Sequence, residues 1–101
     1  MIYPTNLQKN IYDLYFKDVR DMNDFNKALE TIPFETLCVL GKEVCYINEK
    51  CYADENCILY MIIKENEFNK YRSFPVNVYN MCTQIEHEFL IRYFKEEHFN
   101  D

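Results

Sequence analysis

The pattern of the chain predicts an α+β domain: two N-terminal helices, a three-stranded antiparallel sheet with room for a fourth strand, and a long C-terminal helix packed on one face (ααβββα). Three observations lead there. Apolar residues recur at helical spacing near both chain ends. The helical period then changes after Pro33, and Leu37–Leu40, Val44–Ile47 and Cys57–Lys64 bring runs of residues at home in a strand. The strand-like segments follow one another through short links, which favours an antiparallel meander with helices on one face.

The elements follow in order. Thr5 and Gln8 fit a capping box, and Leu7, Ile11, Leu14, Tyr15 and Val19 share one helical face. A helix over Asn6–Phe16 is predicted. Asp21 suits a second N-cap. Met22, Phe25, Leu29 and Ile32 then repeat at helical spacing, and Pro33 stops that helix at or before Ile32. Phe34–Leu40 reads as a strand, Gly41-Lys42 as a type II′ hairpin turn, and Glu43–Asn48 as the return strand. Glu49–Asn56 is polar and reads as a loop. Cys57–Lys64 is apolar on both faces and reads as the central strand. Tyr71–Phe74 offers a short edge strand before Pro75. A long helix over Val76–Glu97 follows, with Val78, Cys82, Ile85 and Phe89 along one face and Glu88 paired with Arg92.

No repeat or linker divides the 101 residues, so residues 1–101 are expected to form one domain. A hydrophobic share of 49% with 17% aromatics excludes disorder. The longest apolar run, Ile58–Ile63, is far short of the roughly 20 residues a membrane span requires. The net charge of -6 is spread over both halves of the chain. It disfavours nucleic acid and membrane surfaces and attracts a basic protein.

The cysteines number five, an odd count, and the N-terminus lacks the pattern of a signal peptide. Free thiols in a reducing cytoplasm are the expectation. The spacing C-x6-C-x5-C-x5-C contains no CxxC, so no zinc ribbon or thioredoxin-type motif is present. Asn, Lys, Ile, Tyr and Phe are abundant while Gly occurs once, a codon bias found in accessory bacterial loci, phages and large viruses.

Catalytic patterns are scarce. One glycine, Gly41, cannot write a phosphate-binding loop or a nucleophile elbow. Ser73, the single serine, has no activating neighbour. His87 and His98 lie about 16 Å apart along one helix and cannot share a metal. Solvated faces explain the carboxylate pairs Asp54-Glu55, Glu65 with Glu67, Glu86 with Glu88, and Glu96-Glu97. A Cys82–His pair is the least implausible catalytic group. The chain is therefore expected to be no enzyme and to hold no cofactor or metal.

What remains is surface. Nine tyrosines supply contact area with a polar tip. Glu49, Tyr52, Asp54, Glu55, Glu65 and Glu67 gather within Asn48–Asn69, and the expected protein-binding surface is placed there. The profile is that of a small acidic inhibitor of the immunity type, which occludes a basic toxin or nuclease. The alternatives are a phage or viral accessory protein that binds a host or defence factor, and a homo-oligomeric structural or regulatory subunit. In the last, a homodimer forms through the sheet edge or the Val76–Glu97 helix.

Overall fold

Five helices and no strand make up the described residues of the computed structural model. These are residues 5–68 and 78–99 for the backbone, and 6–65 and 78–95 for the side chains. The predicted sheet is absent from them, and the α+β reading is replaced by a helical bundle.

Helix α1 begins as Thr5–Ile11 and continues as a wider π-helical turn, Tyr12–Phe16. That widening changes which side chains face inward. Tyr12 and Phe16 are buried, whereas Leu14, assigned to the apolar face by regular spacing, is exposed. The predicted Thr5 cap lies outside the described side chains.

Helix α2 is Met22–Thr31, and its start and stop follow the sequence reading. Asp21 is extended, and its carboxylate accepts the Asp24 amide at 2.8 Å. The Asp24 carboxylate in turn accepts the Arg20 amide at 3.0 Å, one residue before the cap. Ile32 is extended at ψ 148° before Pro33, and its amide donates to the Ala28 carbonyl.

Helix α3, Phe34–Lys50, replaces both predicted strands and the hairpin between them. Leu37, Leu40, Val44 and Ile47 are spaced 3, 4 and 3 apart, and all four are buried on one helical face. Local β propensity is a weak preference, and burial of this face overrides it. Gly41 turns nothing. It lies mid-helix because the Phe89 ring packs against it: a Cβ there would stand 2.8 Å from Phe89 Cε2. Helix α3 ends at Cys51, which holds φ 64° and donates its amide to the Ile47 carbonyl. The left-handed terminator position is thus filled by a residue other than glycine.

Helix α4, Ile58–Phe68, replaces the predicted central strand. Its apolar run is two-sided because α4 is a core helix. Cys57, Ile58, Leu59 and Ile62 are all but fully buried, and a short apolar run reads alike for a buried helix and a buried strand. The predicted edge strand Tyr71–Phe74 lies outside the described residues. Helix α5, Val78–Phe99, occupies the place of the predicted long helix.

Helix α5 packs on α2, α3 and α4, with Met81, Cys82 and Ile85 in the core. Arg92 fastens its second half to α2. Its guanidinium donates to Glu88 Oε2 at 2.9 Å and to the Leu29 carbonyl at 2.7 Å. That carbonyl is one of the last four of α2, which have no partner within the helix.

Candidate protein-docking groove

Two features stand out at the α3–α4 junction, one open and one sealed. The open one is a groove of about 690 Å3 lined by Ile47, Asn48, Cys51, Tyr52, Ala53, Tyr60, Ile63, Val78 and Tyr79. Among the described residues the lining carries no charged side chain. Its size falls in the range of ligand-binding clefts.

Local sequence shapes each wall. Cys51 ends α3 in the left-handed conformation and turns the chain. Asp54 stabilises the turn, its carboxylate accepting the Asn56 amide at 2.9 Å and its carbonyl accepting the Cys57 amide at 2.9 Å. The Tyr46 hydroxyl donates to Asp54 Oδ2 at 3.4 Å, and the Tyr46 and Tyr52 rings meet edge to face at 6.4 Å. Desolvation first, then the neighbouring Tyr52 and Asp54, pushes the Tyr46 hydroxyl up to about 12. The turn is thereby braced from α3 while Tyr52 stays exposed. Tyr60 comes from α4, and the strongly exposed Tyr79 from the first turn of α5.

The structure divides the residues expected to bind protein. Tyr52 lines the groove. Glu49 and Glu55 are exposed, next in sequence to the lining residue Asn48 and two beyond Ala53. Asp54 is half-buried and serves the turn. Glu65 stands apart, close enough to Tyr12 of α1 to raise the pKa of that hydroxyl, after burial as the main cause. Glu67 is in the last turns of α4, and its side chain lies outside the described residues. The carboxylates therefore form no single cluster. The groove instead gathers tyrosines from three segments, and Tyr79 joins them through a packing that sequence spacing does not reveal.

The sealed feature centres on Glu43. This side chain is fully buried on α3. Its Oε2 accepts Gln8 Nε2 at 2.8 Å and the Ile58 amide at 2.9 Å, and its Oε1 accepts the Leu59 amide at 3.3 Å. Glu43 thus caps the start of α4 from another helix and ties in α1. Burial pushes its carboxyl up to about 7, with the bonds from Ile58, Gln8 and Leu59 pulling the other way. The signal was present in the sequence. Glu43 falls in phase with Leu40 and Ile47, and Cys57, which precedes α4, is a poor capping residue.

Burial also pushes the Cys57 and Cys82 thiols up to about 11. Both are protonated at neutral pH, the opposite of the lowered pKa that activates a nucleophilic thiol. Among the described residues, no group of three or more His, Cys, Asp or Glu side chains is placed to hold a metal. No helix among them is long and apolar enough to cross a membrane. Comparison with protein families, with curated proteins and with solved structures finds no match for this chain.

Proposed function

We propose that this chain is a small acidic protein-binding inhibitor of the immunity type, which acts in the cytoplasm by occluding the working surface of a basic partner. The observation that carries the reading is the groove presenting Tyr52, Tyr60 and Tyr79, with exposed Glu49 and Glu55 close by in the chain. Tyrosines are effective anchors at protein interfaces because they bury a large ring and keep one hydrogen bond. The net charge of -6 supplies long-range attraction to a basic surface and speeds the encounter. An apolar or aromatic side chain of the partner enters the groove, and its Lys and Arg residues meet the carboxylates outside. The mechanism is steric and electrostatic and uses no bond chemistry.

The test is an affinity capture. The tagged full chain is expressed in its source organism and eluted with a salt ramp under reducing conditions. One basic protein, recovered in equal amount and released by salt, is the expected result. The Tyr52→Ala/Tyr79→Ala variant should lose it. Recovery of the bait alone, or of a partner that both versions hold equally, contradicts the reading.

A further inference from the structure

Helix α5 changes character halfway along its outer face. At about 100° per residue, Asn80, Thr83 and His87 point away from the core side chains Met81 and Ile85, and beyond the exposed Tyr79 of the first turn they make the first half of that face polar. Leu90, Ile91 and Phe94 continue the same face and are apolar. Together with Tyr93 on its flank, they are between 40 and 58% exposed. Tyr93 and Phe94 meet edge to face at 5.7 Å. One helical turn back, Phe89 holds the exposed Phe34 of α3 edge to face at 5.9 Å and extends the patch onto a second helix.

We infer that this patch is the contact surface of a homodimer, the second half of α5 meeting the same half of a second copy. The area supports a second copy as occupant. With aromatic side chains of roughly 150–250 Å2 each, the exposed parts of Phe34, Leu90, Ile91, Tyr93 and Phe94 amount to on the order of 500 Å2. Two such patches meeting give at most about 1,000 Å2, at the lower limit for a specific protein interface. A two-fold contact places the same patch on both sides and leaves no unmatched apolar surface. The polar first half of the face confines the contact to the last turns of α5. An interface of this size is reversible, with a dissociation constant in the micromolar range. The groove at the α3–α4 junction takes no part, so the dimer and the proposed partner binding stand or fall separately.

Sedimentation of the full chain under reducing conditions, from about 1 to about 200 µM, spans such a constant. The 12.4 kDa species should give way to one of twice that mass as concentration rises. Leu90→Glu/Phe94→Glu should weaken association at least about 30-fold while leaving the circular-dichroism melt unchanged at concentrations where the wild type is monomeric, because both positions are exposed. Ile91→Lys repeats the test elsewhere on the face. A monomer at every concentration overturns the inference, including one whose α5 face takes up phosphatidylcholine vesicles instead. So does a dimer that survives all three changes but dissociates with Tyr52→Ala/Tyr79→Ala.

Discussion

Glu43 and the groove tyrosines belong to the same junction of α3 with α4, yet the fold treats them in opposite ways. The Glu43 carboxylate is enclosed, and donors from α1 and α4 converge on it. Tyr52 and Tyr79 are left exposed beside an open hollow. A buried polar group must be satisfied or it costs free energy, so the first arrangement specifies the fold. An exposed aromatic cluster gains nothing from folding, so the second is available for recognition. Polarity alone therefore does not mark a working site: the acidic residue with the most hydrogen bonds here is structural.

Removing the enclosed group breaks the comparison most severely. Glu43→Ala takes one acceptor from Gln8, leaves the Ile58 and Leu59 amides unpaired and opens a cavity, and should cost about 3 kcal/mol or more in chemical denaturation. A loss below about 1 kcal/mol would show that the α4 cap is dispensable.

The pH dependence sharpens the point. The Glu43 carboxyl lies at about 7 in the fold against a reference of 4.5. Between those values the native state holds a proton that the unfolded chain has released. Stability from this group is thus full below the reference value and declines as pH rises toward 7. The integrated loss is about 3 kcal/mol. Denaturation at acidic and at mildly alkaline pH should show this slope in the wild type and not in Glu43→Gln.

Smaller effects lie nearer the groove. Gly41→Ala gains about 1 kcal/mol of helix propensity but displaces the Phe89 ring. The net result should be a loss of about 1 kcal/mol that turns into a gain in a Phe89→Leu background. Cys51→Gly relieves the left-handed residue at φ 64° and should raise stability by about 1 kcal/mol. Tyr79→Ala should shift stability by less than about 0.5 kcal/mol and Tyr52→Ala, which loses the edge-to-face contact with Tyr46, by about 1 kcal/mol, while each weakens partner binding about 10-fold or more.

Legibility in the sequence tracked the strength of local signals. The Asp21 cap and the Ile32-Pro33 stop were readable because each works through its own backbone. Helix α5 was readable from its long periodic face. Helix α3 was misread because Leu37-Cys38-Val39-Leu40 followed by Gly41 imitates a strand and turn. The spacing of Leu37, Leu40, Val44 and Ile47 carried the helical alternative, and only packing against α5 and α4 decided between them. In α1, regular spacing placed Leu14 inward, and the π-helical turn reversed that. Tyr52 could be chosen from composition, but its association with Tyr79 depends on how α5 meets the α3–α4 turn.

The central claim is that recognition belongs to the open side of this junction and stability to the sealed side. Hydrogen exchange of the full chain, with and without the basic partner recovered by affinity capture, tests it most directly. The account predicts new protection in residues 47–53, 60–63 and 78–79. The amides of Ile58 and Leu59 should be slow in both states, because Glu43 already holds them. Protection appearing on the second half of α5 with the groove unchanged, or rapid exchange of Ile58 and Leu59 in the free chain, would contradict it.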